Sequence, residues 1–287
     1  SRATSGLSDT MSPGDISSLS MSDAVAFRVK FDADIPESRD LYWRGLVMTR
    51  FNGRTWSGSE PRFGARESTA DIVYNGDPVS YEVTLEPTMQ QWVFAMEMVK
   101  NISLPRTSID SMQRIARITP IEQRVAYRVE SYPKYIVQPD ISRSTRSWYL
   151  SIPELGNQRT RTLAEEMRGV AGSDKAYINA VLEKFNQEEY FYTLQPPALG
   201  SNPVDRFLFD TRQGFCEHYA SAFAFMMRSA GIPARVVLGY QGGEVNPRGG
   251  HLIVRQSDAH AWTEVWLVEY GWYRIDPTAA VAPERIE

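Results

Sequence analysis

The chain contains a single cysteine, Cys216, and the residues that follow it have the types needed for a nucleophilic site. His260 and Asp276 come later in the sequence, each within its own well-marked segment. A lone thiol cannot form an internal disulfide, and by itself it cannot hold a structural zinc ion. A cysteine followed by a histidine and an aspartate is typical of an activated thiolate with a base and a group that orients the base. The three residues therefore predict acyl transfer through a cysteine nucleophile.

The segments around these residues indicate how the thiol would be activated. Cys216 opens an apolar, helix-forming run, and the unpaired N–H groups at a helix start favour thiolate over thiol. His260 opens a strand-like segment and has a pKa near neutral pH without help. Asp276 ends the next strand-like segment, so a hairpin through Glu269-Tyr270-Gly271 would bring it near His260. A carboxylate on one imidazole nitrogen fixes the tautomer of the base.

Each of these residues also has a purely structural interpretation. Cys216 could be a small buried apolar residue, which is the commonest state of a free cysteine. His260 could form a structural hydrogen bond at a strand end, and Asp276 could belong to an ordinary Asp–Pro turn. His218 lies two positions beyond Cys216 and points elsewhere on a helix, whereas His251 opens a strand and is expected to face the substrate or the rim. No pair has ligand spacing with a second cysteine or a carboxylate cluster, so we expect no metal and no other cofactor.

The first half of the chain has the alternating pattern of half-buried strands. Strands are predicted over 24–31, 41–51, 54–56, 79–85 and 114–129, the last broken near Pro120. Asn52-Gly53 is typical of a two-residue hairpin turn. Short strands separated by turn signals favour a β-sandwich, here of immunoglobulin-like type.

The second half mixes helical and strand patterns. Helices are predicted over 161–170, 175–189, 203–210 and 216–230, and strands over 190–194, 234–240, 251–256, 261–268 and 272–275. Prolines at 133, 139 and 153 mark the change of pattern between the halves. We therefore predict a flexible segment over 1–20, a β-sandwich domain over 21–150 and a catalytic domain over 151–287.

The composition is ordinary for a globular protein, with 42% hydrophobic and 23% charged residues. The net charge of −4 gives no reason to expect a nucleic-acid partner, since such a partner requires a basic face. No apolar run approaches the roughly 18 residues that span a bilayer. The first residues also lack the apolar core of a signal peptide. We expect a soluble chain that is a segment of a longer protein.

Four blocks of the second half together resemble the transglutaminase-like superfamily. They occur in the family order, and they are Arg212-Gln213-Gly214-Phe215-Cys216-Glu217-His218-Tyr219-Ala220, Ala230-Gly231-Ile232-Pro233-Ala234-Arg235-Val236-Val237-Leu238-Gly239-Tyr240, Asp258-Ala259-His260-Ala261-Trp262-Thr263-Glu264-Val265 and Gly271-Trp272-Tyr273-Arg274-Ile275-Asp276-Pro277-Thr278. The resemblance implies an α+β, papain-like core in which the cysteine starts a helix that faces an antiparallel sheet. It places the family's catalytic residues on Cys216, His260 and Asp276.

The first half resembles bacterial membrane-anchored members of the same superfamily. The resemblance lies in Leu41-Tyr42-Trp43-Arg44-Gly45 and Phe51-Asn52-Gly53-Arg54-Thr55-Trp56. In those proteins such a segment lies between transmembrane helices and faces the periplasm. The resemblance therefore implies a periplasmic domain of an inner-membrane protein that is anchored on both sides of this segment.

The resemblance further implies a protein-glutamine γ-glutamyltransferase. Its partners would be a protein or peptide with a glutamine donor and an amine acceptor, and water as acceptor would give deamidation. In animal transglutaminases an upstream tryptophan supplies an oxyanion donor, but no tryptophan lies between Trp148 and Cys216. Tyr192 is the substitute we expect, and Trp262 is expected to wall the acyl tunnel or pack in the core. A cysteine peptidase or amidase with the same triad, and a binding module without activity, remain as alternatives.

Overall fold

The computed structural model describes residues 6–61, 63 and 71–286, and it confirms a fold that mixes helices and sheets. The helices of the described part are Asp15–Leu19 (α1), Arg143–Trp148 (α2), Gln158–Val170 (α3), Asp174–Gln187 (α4), Pro203–Asp205 (α5) and Cys216–Ser229 (α6). The helix predicted over 203–210 is a short α turn that continues as a π turn, Arg206–Thr211. None of the helices in these ranges has the length and apolar character needed to cross a bilayer.

Short strands are the main regular secondary structure of the first half, as predicted. They are Thr10–Met11 (β1), Val25–Phe31 (β2), Tyr42–Met48 (β3), Arg50–Phe51 (β4), Trp56–Ser57 (β5), Ile72–Asn75 (β6), Val79–Leu85 (β7), Trp92–Val93 (β8), Ala95–Met96 (β9), Val99–Ile102 (β10), Thr107–Ile109 (β11), Ile115–Arg117 (β12), Val125–Ser131 (β13) and Lys134–Val137 (β14). Those of the second half are Phe191–Tyr192 (β15), Gln213–Gly214 (β16), Ala234–Gln241 (β17), Glu244–Val245 (β18), Leu252–Arg255 (β19), Ala259–Leu267 (β20) and Gly271–Ile275 (β21).

Both large sheets combine strands from the two halves of the chain. One sheet has seven strands in the order β6-β14-β21-β20-β17-β3-β9, and the other has six in the order β10-β13-β7-β2-β19-β18. β3 pairs antiparallel with β17, and β2 pairs antiparallel with β19. The sandwich of the first half is therefore completed by strands of the second half. The division into domains near residue 150 stays a prediction, and it does not coincide with a division between sheets.

Aromatic side chains fill the space between the two large sheets. Phe27 of β2 lies with its ring centroid 5.3 Å from that of Trp43 in β3 and 5.4 Å from that of Tyr240 in β17. Phe94 stacks on Phe27 from the segment between β8 and β9. Burying such large rings stabilises the packing of one sheet on the other. The sheet that carries the candidate site is thus held by the first half of the chain.

Helix α6 packs against β17 and β20, and it begins at Cys216. Its first turn is closed by a hydrogen bond from the Phe215 N–H to Nδ1 of His218, at 3.1 Å. At its other end Arg228 donates hydrogen bonds to backbone carbonyls of Thr49, Ser151 and Ala234. These contacts close the first turn of the helix and attach its last turn to three neighbouring segments of the chain.

The structure also places the amino-terminal segment that we predicted to be flexible. Residues 1–5 lie outside the described residues, but Leu7, Met11 and Ile16 are buried. The carboxylate of Glu217 accepts hydrogen bonds from the N–H groups of Gly14 and Ile16, both at 2.7 Å. The segment 6–20 therefore packs on the start of α6. Its Ser- and Gly-rich composition indicates a flexible segment because the apolar side chains that hold it in place are few.

Candidate active site

The hairpin formed by β20 and β21 brings His260 and Asp276 together. The strands pair antiparallel from Leu267 opposite Gly271 to Thr263 opposite Ile275, so Asp276 follows β21 at the end where β20 begins. Nε2 of His260 lies 2.8 Å from Oδ2 of Asp276. Because Asp276 engages Nε2, Nδ1 is the ring nitrogen left to face a thiol.

Cys216 completes this group from the start of α6. Its side chain is fully buried, and it is close enough to His260 to affect the imidazole. Burial alone lowers the pKa of His260, but the charges of Asp276 and Cys216 and their hydrogen bonds raise that pKa well above its ordinary 6.5. Burial likewise opposes the charge on Asp276, yet His260, Tyr42 and the Thr278 N–H lower the pKa of its carboxyl. The site therefore favours the protonated form of the His260 imidazole beside the Asp276 carboxylate.

Tyr192 faces Cys216 from a short parallel pair of strands. Residue 192 in β15 lies opposite Gly214 in β16, and its ring stacks on that of Phe215 with centroids 4.9 Å apart. Burial, followed by the charges of Cys216 and Asp276, raises the pKa of the Tyr192 hydroxyl far above 10. Part of this shift comes from Cys216, so the hydroxyl lies near the Cys216 side chain. Tyr192 therefore keeps its proton and offers a donor beside the sulfur.

Two further aromatic residues pack around the base. Trp262 lies two positions after His260 in β20, is fully buried, and stacks on the imidazole with centroids 6.1 Å apart. The hydroxyl of Tyr42 donates a hydrogen bond to Oδ2 of Asp276 at 2.7 Å, and its ring lies 5.1 Å from that of Trp262. We did not identify Tyr42 from the sequence. It stands within a segment that carried the family resemblance, but nothing in that segment indicates a partner 234 positions away.

The other two histidines lie outside this group. His251, which is expected to face the substrate or the rim, directly precedes β19 of the six-stranded sheet, and its Nε2 lies 3.4 Å from Nδ2 of Asn246. Among the described residues it makes no hydrogen bond to Cys216, His260 or Asp276. His218 is a structural residue of α6, and burial lowers its pKa to about 4. Within the same part of the chain, no group of three or more His, Cys, Asp or Glu residues is arranged to hold a metal ion.

Comparison with known proteins identifies the family of this arrangement. Residues 161–277 match the transglutaminase-like superfamily, and residues 1–138 match the TgpA N-terminal domain. The chain is 46% identical over 286 residues to the protein-glutamine gamma-glutamyltransferase of Pseudomonas aeruginosa. This alignment covers 100% of the chain but only 42% of that relative, so the chain spans less than half its length.

Solved structures show the same likeness in three dimensions. The crystal structure of the periplasmic domain of TgpA from Pseudomonas aeruginosa bound to ethylmercury matches with a TM-score of 0.92 at 47% identity. This match covers 98% of the present chain and 99% of that one. A second crystal structure of the same periplasmic domain matches with a TM-score of 0.93 at 46% identity, covering 98% and 96% of the two chains. The chain belongs to the transglutaminase-like superfamily.

Proposed function

We propose that this chain is the catalytic region of a protein-glutamine γ-glutamyltransferase that acts through Cys216, His260 and Asp276. The observation that carries the proposal is the 2.8 Å contact between His260 and Asp276, with Cys216 at the start of α6 acting on the same imidazole. A thiolate beside a protonated imidazole is the reactive form of a cysteine nucleophile. The name of the Pseudomonas aeruginosa relative supports the choice of glutamine as acyl donor.

In the first half of the reaction the Cys216 thiolate attacks the carboxamide carbon of a glutamine side chain. The carbon–nitrogen bond breaks as the His260 imidazolium gives its proton to the departing nitrogen, so ammonia leaves and a thioester forms. Asp276 holds the imidazole in the required orientation and stabilises its charged form. Because Cys216 is fully buried, the donor side chain must displace a neighbouring group to reach the sulfur.

In the second half an amine attacks the thioester. The neutral His260 now accepts the proton of the amine, an amide bond forms, and the thiolate leaves with its imidazolium partner restored. When water takes the place of the amine, the product is glutamate and the net reaction is deamidation. Both halves use the same three side chains and need no further reactant.

Each half passes through a tetrahedral intermediate whose oxygen carries negative charge. We assign the stabilisation of this oxygen to the Cys216 N–H at the start of α6 and to the hydroxyl of Tyr192. The raised pKa of that hydroxyl, to which Cys216 contributes, supports its role as donor. Removing one donor of this kind costs about 3–4 kcal/mol in the transition state. Trp262, buried beside His260, would form a wall of the site.

The location of the protein and its partners are also part of the proposal. The matched solved structures are of a periplasmic domain, so we place this chain in the periplasm as one part of a longer, membrane-anchored protein. A protein or peptide would then supply the glutamine, and a lysine or other primary amine would accept the acyl group. The large share of the Pseudomonas aeruginosa relative that lies outside the alignment leaves room for the anchors.

One experiment separates this function from its alternatives. The chain is incubated with a glutamine-containing protein and a fluorescent primary amine, and both ammonia release and amine incorporation are followed. We expect both in the wild type and neither in Cys216→Ala, which removes the only thiol of the chain. Ammonia release without incorporation, even at high amine concentration, would contradict the transferase. Cleavage of the backbone would indicate a peptidase, and activity retained in Cys216→Ala would contradict the whole mechanism.

A further inference from the structure

The carboxylate of Asp276 has a second hydrogen-bond donor besides the base. Oδ2 accepts from His260 at 2.8 Å and from the Tyr42 hydroxyl at 2.7 Å, while Oδ1 accepts from the Thr278 N–H at 3.1 Å. Tyr42 lies in β3, in the first half of the chain and outside the region 161–277 that matches the superfamily core. The first half thus contacts the acidic member of the proposed triad directly.

We propose that Tyr42 is a positioning residue of the active site, which orients Asp276 and thereby sets how readily His260 gives up its proton. The inference rests on the proposed function, since it concerns the same three residues. If Tyr42 has this role, the first half of the chain takes part in the chemistry as well as supporting the sheet.

A bulge in β3 directs Tyr42 towards this carboxylate. Leu46 pairs with Leu238 in β17, but Arg44 pairs with Gly239, so Gly45 is an extra residue in β3. Because side chains alternate along a strand, one extra residue changes which face the following residues occupy. Leu46 can therefore join the apolar core that contains α6, while Tyr42 projects to the face of His260.

The absence of a side chain at Gly239 allows Tyr42 to approach Asp276. Gly239 in β17 lies between β3 and β20, directly opposite His260. A Cβ at this position would collide with the carbonyl oxygen of Trp43 and would lie 3.0 Å from the ring of Trp262. The close approach of β3 to β17, which brings Tyr42 within reach, therefore requires a glycine here.

Two neighbouring side chains fix the ring of Tyr42. The guanidinium of Arg274 lies 4.0 Å from the ring centroid, and Trp262 meets the ring edge-on at 5.1 Å. Arg274 in turn lies 3.7 Å from the buried carboxylate of Glu97. Burial, followed by the charge of Asp276, raises the pKa of Tyr42 far above 10, so the hydroxyl remains a donor. A side chain fixed in this way limits the orientations available to the Asp276 carboxylate that it contacts.

The hydrogen bond has an electrostatic consequence for the base. A donor on Oδ2 draws negative charge away from the imidazole that shares this oxygen, so it limits how tightly His260 holds its proton. Five charged or titratable groups lie around the His260–Asp276 pair. They are Cys216 on α6, Tyr192 on β15, Tyr42 on β3, Arg274 on β21 and, beyond Tyr42, Glu97 after β9. Of these, only Tyr42 donates a hydrogen bond to Asp276.

The test is Tyr42→Phe, which removes one oxygen and retains the ring contacts. We expect kcat for amine incorporation to fall about tenfold with KM unchanged, the effect of losing roughly 1.4 kcal/mol from a single hydrogen bond. The pH at which His260 titrates is followed by NMR of its ring protons, which is practical because the chain has only three histidines. We expect His260 to titrate at a higher pH in the variant, while the titration of His218 stays unchanged.

Tyr177→Phe is the matched control. Its hydroxyl also donates a buried hydrogen bond, to the Met226 carbonyl at 2.7 Å, but among the described residues Tyr177 makes no hydrogen bond to the triad or to the groups around Tyr42. We expect this variant to keep the kcat and the His260 titration of the wild type. An unchanged titration in Tyr42→Phe, or the same change in both variants, would overturn the inference. The NMR measurement requires no substrate, so it decides the role of Tyr42 even if the wild type shows no transferase activity and the proposed function fails.

Discussion

Two buried charged clusters lie on the same face of β20 and behave in opposite ways. His260 at the start of the strand pairs with Asp276, and Glu264 in its middle pairs with Arg44 of β3 and Arg235 of β17. The two residues of β20 are four positions apart, so both project from one face of the sheet. Each cluster also joins the two halves of the chain, through Tyr42 in one case and Arg44 in the other.

The clusters differ in whether they contain a group that can release a proton near neutral pH. Glu264 is fully buried and accepts hydrogen bonds from Arg44 at 2.7 and 3.0 Å and from Arg235 at 2.8 Å. Burial alone raises the pKa of its carboxyl, but the two guanidinium groups lower it to about 2. Arginine does not lose its proton in proteins, so this cluster has a fixed charge. The imidazole makes the other cluster able to exchange protons, and this is what acyl transfer requires.

The largest effect that would separate the clusters is expected from Asp276→Asn. Asparagine has the same shape, but an NH2 group in the place of Oδ2 would donate to Nε2 of His260, favour the wrong tautomer and no longer accept from Tyr42. We expect kcat for amine incorporation to fall about 10⁴-fold. A neutral imidazole needs no counter-ion, so urea unfolding should show only a small loss of stability. A fall in kcat below tenfold would contradict the orienting role of Asp276.

The reverse pattern is expected for Glu264→Gln. This change leaves Arg44 and Arg235 as buried positive charges without their shared anion, and such a loss costs about 3–5 kcal/mol in the free energy of unfolding. The measurement is urea unfolding, with the exposed Glu244→Gln as control. The folded fraction of Glu264→Gln should keep the pH profile of the wild type. A cost below about 1 kcal/mol would show that the trio is not a tightly coupled unit.

The smallest expected effect is an opposite dependence of stability on pH. The pKa of Glu264 is lower in the folded chain than its ordinary 4.5, so its contribution is present above pH 4.5 and is lost as the pH falls towards 2. The pKa of His260 is higher than its ordinary 6.5, so its contribution is present below pH 6.5 and is lost as the pH rises through the raised value.

Urea midpoints measured from pH 3 to 9 test this contrast (the range is chosen to be about two units beyond both ordinary values). Relative to the wild type, Glu264→Gln should flatten the loss on the acidic side only. His260→Asn should flatten the loss on the alkaline side only. Flattening on the same side in both variants would show that the clusters titrate together, and the comparison between them would fail.

Local sequence patterns were sufficient for much of the site. The apolar run after Cys216 predicted α6, because helix periodicity is a property of neighbouring residues. The turn at Tyr270 and the alternation on either side of it predicted the β20–β21 hairpin, which has a short connection. The long-range pairing of β3 with β17 was not predicted, since alternation shows that a segment is a strand but does not identify its partner.

The same limit explains why the surroundings of several residues were not predicted. His251 has the local context of a site residue, but pairing of β19 with β2 places it in the six-stranded sheet. Tyr42 and Arg44 have the local context of a half-buried strand, and their partners lie more than 200 positions away. The segment 6–20 has the composition of a linker, yet two of its N–H groups find a buried carboxylate in Glu217.

The sequence by itself predicted the kind of chemistry, because a lone cysteine at a helix start, a strand-end histidine and an aspartate one hairpin later are typical of acyl transfer through a thiolate. Tertiary structure alone decided which charges surround these residues. The bulge at Gly45 and the register of β3 bring Tyr42 to Asp276 and Arg44 to Glu264. The physical reason is that the pKa of a buried group depends on every charge and dipole within a few ångströms, and here those groups come from distant parts of the chain.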